Sequence, residues 1–343
     1  MVRFGIIERN FIVNNMLAAM AVVPEAVPTA VYSRTIEGAR EFADKHGIPH
    51  AFSDLNELAD CPEIDAVYIA SPNYCHFAQA RLLLNHGKHV LCEKPAASNS
   101  VQVRDLVKLA EEKDLVFLEA MRPVFGPVPG LIRENLPKIG TLRQVRFEYC
   151  KISSRIKLFH EKGSEVNAFN PALDNAALLD LGCYAVHSIV NLFGKPEAVS
   201  AQAVHLHNGF EASGTVLMRY PGFVAEAGYS KITTLTQPSF LLGENGAIWL
   251  DCVNDTQRMW LTQTDGTEIP LDLTPAKPSD MIYEVKAFCD LVRTGSRPKT
   301  QNENSILTAE VLDEARRQTN TSFPSDFTTL FKKMSEWENE KQE

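Results

Sequence analysis

Short apolar runs alternate with helix-type patterns along the first third of the chain. Runs such as Val2–Ile7 predict buried strands, and the segments between them carry apolar residues on one helical face. Alternation of this kind is typical of parallel strands joined by crossover helices, so a doubly wound α/β sheet is predicted. The predicted strands are Val2–Ile7, Thr29–Ser33, Ala66–Ala70, His89–Cys92 and Leu115–Glu119. The predicted helices are Asn10–Val23, Thr35–His46 with Gly47 after its end, a short helix capped by Ser53, Tyr74–His86 and Ser100–Lys113.

The pattern changes at Arg122–Pro129, a stretch rich in proline and glycine that is predicted to be a hinge. We therefore expect a first domain at residues 1–122 and a second at residues 123–343. Tight turns join antiparallel strands, so the second domain is predicted to be α+β with a mostly antiparallel sheet, open on one face. Its signals are a strand at Leu142–Ile152, a helix at Ala176–Phe193, turns at Pro221-Gly222, Asn245-Gly246 and Asp265-Gly266, helices at Met281–Thr294 and Ser305–Asn320, and a frayed tail at 332–343.

Composition and charge exclude several classes of protein. The 34 Lys and Arg residues against 43 Asp and Glu give a net charge of −9, which disfavours a nucleic-acid binder and a polybasic membrane surface. A hydrophobic share of 45% with 22% charged residues is typical of a globular chain. No signal peptide or membrane-spanning run is evident. The seven cysteines form no C-x-x-C pair, so no metal site is predicted and a reducing cytoplasm is the expected location.

The end of the first strand is where a dinucleotide would bind, because a glycine-rich turn lets a pyrophosphate approach the start of a helix. A G-x-x-G-x-G pattern here would place glycines at positions 5, 8 and 10, but only Gly5 is present, with Glu8 and Asn10 at the others. The replacement at Asn10 is the milder of the two, since asparagine tolerates the left-handed conformations that glycine supplies. The alternative is an ordinary strand and turn.

The second strand ends in Ser33-Arg34-Thr35, where an NAD-binding domain would carry an acidic residue for the ribose hydroxyl. Hydroxyl groups and a guanidinium suit a 2′-phosphate instead, which favours NADP. A solvated arginine at the start of a helix is the alternative.

Two further strand ends are expected at the same edge of the sheet, Ser71-Pro72-Asn73 and Glu93-Lys94-Pro95. A lysine in this place can transfer a proton or orient a hydroxyl, although an exposed loop lysine is the plainer interpretation. Asp180, Tyr184 and His187 share one face of the predicted helix, which a purely structural helix would fill with apolar residues. A tyrosine there can exchange a proton with a carbonyl oxygen, or it can simply form a hydrogen bond within the fold.

The order of these motifs resembles the glucose–fructose oxidoreductase/inositol dehydrogenase/rhizopine-catabolism (Gfo/Idh/MocA) family over residues 2–330. The run G-K-H-V-L-C-E-K-P, Gly87–Pro95, carries most of the resemblance, together with S-R-T, A-S-P-N-x-x-H and L-L-D-L-G-C-Y. Within the family the chain is similar to dihydrodiol dehydrogenase and NADP-dependent xylose dehydrogenase-like members. These also have S-R after the second strand and tyrosine in the catalytic helix.

The resemblance implies a Rossmann domain, an open-faced sheet domain and hydride transfer between NADP, or NAD, and a sugar, polyol or diol carbon. It implies that Lys94, Asp180 and Tyr184 are catalytic, with Lys94 and Tyr184 as the proton relay. It also implies a homodimer or homotetramer formed through the second sheet. The implied cofactor-binding residues are Gly5, Ile7, Glu8, Asn10, Ser33, Arg34, Thr35, Ser71, Pro72, Asn73, His76, Glu93, Lys94 and Arg122.

Two departures from the family pattern leave alternatives open. Glu8 replaces a usual glycine, and Asp174-Asn175-Ala176 stands where a G-G-G run usually lines the mouth of the cleft. A narrower and more polar pocket is therefore expected. A non-catalytic relative that binds nucleotide or sugar and regulates a partner is the main alternative to an enzyme, and an NAD-recycling glycosidase is a third possibility.

Overall fold

A computed structural model describes residues 1–273 and 279–327. Its chain forms two compact units. The first comprises residues 1–97, 103–126 and the described part of 277–305, and the second comprises residues 98–102, 127–276 where described, and 306–327. The predicted frayed tail at 332–343 lies outside the described residues. No helix in the described part of the chain is long and apolar enough to cross a membrane.

The first unit contains a six-stranded parallel sheet in the order β3-β2-β1-β4-β5-β6, which is the doubly wound Rossmann order. The predicted fold class is thereby confirmed. Its strands are β1 (Val2–Ile7), β2 (Ala26–Tyr32), β3 (His50–Phe52), β4 (Ala66–Ile69), β5 (His89–Glu93) and β6 (Phe117–Ala120). Its helices are α1 (Phe11–Met20), α2 (Ile36–His46), α3 (Leu55–Asp60), α4 (Asn73–Asn85), α5 (Ser100–Glu112) and α9 (Met281–Thr294), with α5 beginning in residues of the second unit.

An apolar core joins α1 and α9 to the sheet of the first unit. Phe4 of β1 and Phe288 of α9 are fully buried, with ring centroids 5.6 Å apart. Tyr68 of β4 and Val13 of α1 belong to the same core. The chain thus returns to the first unit at α9, after it has formed all the strands of the second sheet.

The second unit contains an eight-stranded sheet in the order β14-β13-β12-β11-β7-β10-β9-β8. Every neighbouring pair is antiparallel except β7 and β10, which are parallel. The strands are β7 (Leu142–Cys150), β8 (Ala198–His205), β9 (Glu211–Tyr220), β10 (Phe223–Ser230), β11 (Ser239–Gly243), β12 (Gly246–Leu250), β13 (Met259–Gln263) and β14 (Glu268–Leu271). The remaining helices are α6 (Val128–Asn135), α7 (Ile156–Lys162), α8 (Cys183–Phe193) and α10 (Lys299–Thr319), with α10 beginning in residues of the first unit.

Three local predictions were wrong for identifiable reasons. Asp54, rather than Ser53, caps α3, because its carboxylate accepts a hydrogen bond of 2.7 Å from the Asn56 amide. Helix α10 begins at Lys299, six residues before the predicted Ser305. The prediction missed these residues because the first turns of the helix are largely polar. The predicted helix Ala176–Phe193 contains a π-helical turn at Leu178–Gly182 before α8 begins.

Candidate active site

The carboxyl edge of the first sheet collects most of the residues that the sequence singles out. The strand order reverses between β1 and β4, and such switch points are where doubly wound sheets bind ligands. The Asn10 amide donates a hydrogen bond of 2.8 Å to the carbonyl oxygen of Ala70, so one side chain connects the two strand ends at this point.

The turn after β1 has a left-handed backbone at one of the two positions where glycine is missing. Glu8 has φ +86°, the region that favours glycine. Asn10, by contrast, is extended at φ −81° and ψ −176°, so this position does not use the left-handed conformation that asparagine tolerates. Asn10 instead caps α1, because its side-chain oxygen accepts hydrogen bonds from the amides of Ile12 and Val13. The backbone at Glu8 therefore has the conformation that glycine would adopt, although the residue carries a side chain.

Gly5 lies inside β1, before the turn. A Cβ at this position would lie 3.3 Å from the Ile64 side chain and 3.4 Å from that of Leu58. Close packing therefore accounts for this glycine, and Ile7 at the end of the strand is fully buried. Cofactor binding by Gly5 and Ile7 stays a prediction.

Arg9 is a residue of this edge that the sequence reasoning missed. Its Nε donates a hydrogen bond of 3.1 Å to the Ser33 hydroxyl, at the end of β2. A Cβ at Gly38 would lie 2.7 Å from the Arg9 guanidinium carbon, so the absence of a side chain at Gly38 makes room for the guanidinium beside the first turn of α2. The pair is separated by 24 positions in sequence, and only the parallel pairing of β1 with β2 reveals it.

Arg34 and Thr35 lie beside the Arg9–Ser33 contact. Arg34 is exposed, and its charge acts on the hydroxyl groups of Tyr32 and Tyr74. Thr35 caps α2 by accepting a hydrogen bond of 3.3 Å from the Gly38 amide. Two guanidinium groups and a hydroxyl at the start of a helix form a donor set that matches a phosphate group. The residues at this end of the edge therefore fit the 2′-phosphate of NADP, whereas the Glu8 carboxylate would repel a pyrophosphate bound at this turn.

His76 connects the loops that follow β4 and β5. It is 1% exposed, with Nδ1 2.8 Å from the Pro95 carbonyl oxygen and Nε2 2.7 Å from that of Ser71. Burial lowers the pKa of this imidazole. Since backbone carbonyls occupy both nitrogens, His76 shapes these loops, while Asn73 and Pro72 stand at the start of α4.

Lys94 follows β5 directly, at the carboxyl edge where it was expected. Its charge acts on Glu93 and Glu119. Glu93 accepts a hydrogen bond of 2.6 Å from the Tyr68 hydroxyl, and Arg122, just beyond β6, places a second cation near Glu93. Lys94 is thus a half-buried cation near the half-buried Glu93 and the buried Glu119, and an exposed loop lysine is the wrong interpretation.

Asp180 and Tyr184 belong to the second unit. Asp180 lies in the π-helical turn and forms an ion pair of 2.7 Å with Lys231, a residue 51 positions away that the sequence analysis missed. Tyr184 is 9% exposed, and its ring packs edge-on against Tyr149 at 5.7 Å. Tyr184 and His187 lie three residues apart in α8, as the regular spacing requires, whereas Asp180 lies in the preceding π-helical turn, which winds more widely than an α-helix. Their catalytic roles stay predictions.

Buried side chains of the second unit pack against the π-helical turn. The Glu211 carboxylate, 1% exposed, accepts a hydrogen bond of 3.1 Å from the Leu178 amide, and burial raises the pKa of Glu211 to about 7. Gly182 allows close contact, since a Cβ there would lie 2.9 Å from the Tyr229 ring.

The expected polar cleft mouth at Asp174 was wrong. Asp174 is fully buried, and its carboxylate accepts hydrogen bonds from the hydroxyls of Ser98, at 2.6 Å, and Ser325. Its φ of +53° is the left-handed region, which explains why glycine would suit this position. The side chain anchors its own loop and cannot line a pocket.

Comparisons with known proteins agree over nearly the whole chain. Residues 2–120 match the model of an oxidoreductase family with an NAD-binding Rossmann fold, and residues 136–249 match the C-terminal domain model of the GFO/IDH/MocA proteins. The chain is 41% identical to scyllo-inositol 2-dehydrogenase (NADP(+)) of Bacillus subtilis, over 95% of this chain and 99% of that one. It is 32% identical to human trans-1,2-dihydrobenzene-1,2-diol dehydrogenase, over 94% and 98% of the two chains. A 3-ketoreductase from Actinomadura kijaniata, solved with NADP and TDP-benzene, shares the fold with a TM-score of 0.82 at 22% identity, over 94% of this chain and 99% of that one.

Proposed function

Because the chain belongs to the Gfo/Idh/MocA oxidoreductase family, we propose that it is an NADP-dependent dehydrogenase of a cyclic polyol of the inositol type. The observation that carries this proposal is the 41% identity, over nearly the full length of both chains, to a scyllo-inositol 2-dehydrogenase whose name specifies NADP+. The donor set at the ends of β1 and β2 supports the same cofactor.

Each of the named groups then has a defined task. NADP+, held by the residues at the ends of β1 and β2, would supply the acceptor for the hydride of the carbon that bears the hydroxyl. Lys94 and Tyr184 move the proton of that hydroxyl, as the family resemblance implies. Asp180, held by Lys231, orients the neighbouring hydroxyl groups.

The proposal is tested by following NADPH formation with scyllo-inositol, myo-inositol, a trans-dihydrodiol and an aldose as substrates. We expect scyllo-inositol to give the highest kcat/KM and NAD+ to be a poorer acceptor than NADP+. A higher kcat/KM for the dihydrodiol would move the substrate to the class of the human relative. Turnover of none of the four would overturn the proposal.

Replacing Arg34 with alanine is expected to weaken NADP+ binding about 10- to 100-fold, with little change for NAD+. A charge-assisted hydrogen bond to phosphate contributes about 1.5–3 kcal/mol, which corresponds to that range. Arg9→Ala is expected to act in the same direction, because the Arg9 guanidinium is fixed beside Ser33. Titration of each variant with both cofactors measures the effect.

Arg40→Ala is the matched control, since Arg40 is an exposed arginine of α2 outside this donor set. It should bind both cofactors like the wild type. Equal losses of NADP+ and NAD+ affinity in Arg34→Ala would show that Arg34 does not recognise the 2′-phosphate.

We also propose that the open face of the second sheet binds a second copy of the chain. One cross-strand row on this face contains Trp260, Trp249, Phe240, Arg146 and Glu226 in adjacent strands. The two tryptophan rings stack at 6.1 Å, and Leu217 of β9, in the same row, is 43% exposed. A self-complementary pairing would cover this apolar row and satisfy its charges.

Trp249→Glu is expected to convert the oligomer to a monomer, because a carboxylate at the centre of the row would be desolvated on association. Light scattering after size-exclusion chromatography gives the mass. Exposed Glu268→Gln, on the edge strand β14, serves as the control. A wild-type chain that is monomeric at all concentrations would contradict this assignment.

A further inference from the structure

A buried glutamate of α9 has no role in the function proposed above. Glu284 is 0% exposed and lies among apolar core residues such as Met281 and Val285 of its own helix. Neither carboxyl oxygen has a hydrogen-bond partner among the residues that the structure describes. Burying an ionised carboxylate without donors or a paired cation is among the costliest arrangements in a protein. The side chain therefore needs a chemical explanation.

The groups that face Glu284 come from four neighbouring segments of the first unit. Glu93 of β5 and Arg122 beyond β6 act on it directly, and Asp280 precedes it on α9. Tyr68 of β4 is affected by both Glu93 and Glu284. Lys94 and Glu119 complete the set through their interactions with Glu93. Helix α1 and strand β1 contribute apolar side chains to this core, including Val13 and Phe4.

Glu93 and Glu284 have unequal environments. Glu93 accepts the 2.6 Å hydrogen bond from Tyr68 and is stabilised by the charges of Lys94 and Arg122. Glu284 lacks a donor and feels the negative charges of Glu93 and Asp280. When two neighbouring carboxyl groups differ in this way, the one with the donors ionises and the other keeps its proton. Burial raises the pKa of Glu93 and of Glu119 as well, and the charge of Lys94 opposes this rise at both groups.

We propose that Glu284 is a positioning residue, a buried carboxylic acid that stays protonated beside Glu93 so that Glu93 alone pairs with Lys94 and Arg122. The positioning of Lys94 in this proposal rests on the proposed function. The protonation of Glu284 rests only on the groups that surround it. Ionised Glu284 would compete with Glu93 for the two cations and draw Lys94 away from its place at the carboxyl edge of β5.

The stability of the protein without ligand tests whether folded Glu284 is protonated. Unfolded Glu284 ionises near the ordinary pKa of 4.5, whereas burial holds the pKa of the folded side chain well above that value. The folded state therefore binds one more proton than the unfolded state above pH 4.5, and the wild type loses stability as pH rises through this window. Glu284→Gln cannot ionise and escapes this loss. We expect equal melting temperatures near pH 5 and a higher one, by about 2–4 °C or more, for the variant near pH 8.

Glu303→Gln is the matched control, since Glu303 is an exposed glutamate of the same unit and its melting curve should follow the wild type at every pH. The kcat/KM profile with NADP+ and polyol tests the positioning role. The ratio of Glu284→Gln to wild type should be near one at pH 6 and rise at least threefold above the pH at which the melting profiles show Glu284 to lose its proton, whereas a space-filling role would give a constant ratio.

Three outcomes would overturn the proposal. Parallel melting profiles for Glu284→Gln and wild type would show that Glu284 is ionised in the folded protein. A tenfold loss of kcat/KM in Glu284→Gln at pH 6 would show that the negative charge itself is needed. An activity ratio that stays constant through the pH at which the melting profiles show Glu284 to ionise would remove the positioning role. If no polyol is oxidised, the proposed function fails, and the melting profiles still decide the protonation of Glu284.

Discussion

Replacing Tyr184 with phenylalanine is expected to lower kcat by about 10²- to 10⁴-fold, the usual contribution of a general acid or base. The substitution keeps the ring, which is 9% exposed and packs against Tyr149, and removes only the hydroxyl. We therefore expect the melting temperature and the NADP+ affinity to change little. Steady-state kinetics with the polyol, together with a cofactor titration, separate these quantities.

Tyr149→Phe is the matched control, because it removes a hydroxyl from the other ring of the same edge-on pair. It should retain turnover within a few fold. Wild-type turnover in Tyr184→Phe would remove Tyr184 from the mechanism. His187, the next candidate on the helix, is 2% exposed, and burial lowers its pKa to about 3, so it could not hold a proton at neutral pH.

Glu8→Gly is expected to tighten NADP+ binding tenfold or more and to stabilise the protein. A carboxylate about 5 Å from a phosphate charge costs roughly 3 kcal/mol at an effective dielectric of 20, which is on the order of 100-fold in affinity. Salt screens a half-exposed charge, so the measured gain should be smaller at high ionic strength. Glycine also relieves the backbone at φ +86°, which costs a residue with a Cβ about 1–2 kcal/mol.

Glu8→Gln separates the two effects, because it removes the charge and keeps the Cβ. It should tighten binding without raising the melting temperature, whereas Glu8→Gly should do both. Cofactor titrations at two ionic strengths and thermal unfolding without ligand measure these changes. Tight wild-type binding that Glu8→Gly leaves unchanged would show that the pyrophosphate does not approach this turn.

The fold followed from the sequence wherever local patterns were regular. Strand β1 and helix α9 have the predicted bounds, since apolar periodicity and flanking glycines are local signals. Strand β3 was missed because three residues, His50–Phe52, carry too little pattern. The π-helical turn was missed because its residues are as apolar as those of an α-helix. The domain boundary at residue 122 stays a prediction.

The sequence predicted those features of the candidate site that depend on a single strand end. Lys94 was placed correctly because it directly follows a buried strand. The partners were missed, because the Arg9–Ser33 and Asp180–Lys231 contacts join residues 24 and 51 positions apart. Glu284 had no sequence signal either, since one acidic residue in an amphipathic helix is ordinarily exposed. Only the packing of α9 shows that this one is buried.

The return of α9 to the first unit affects how the chain acquires its structure during synthesis. When the ribosome has released the first 126 residues, Phe4 and Ile6 of β1 still lack Phe288 and Val285, which seal their core. That apolar surface remains uncovered while the entire second sheet emerges, a period in which chaperone capture or self-association competes with folding. A gene fragment that stops before α9 is therefore expected to yield an aggregating product. A circular permutant that begins at α9 would deliver the missing helix first.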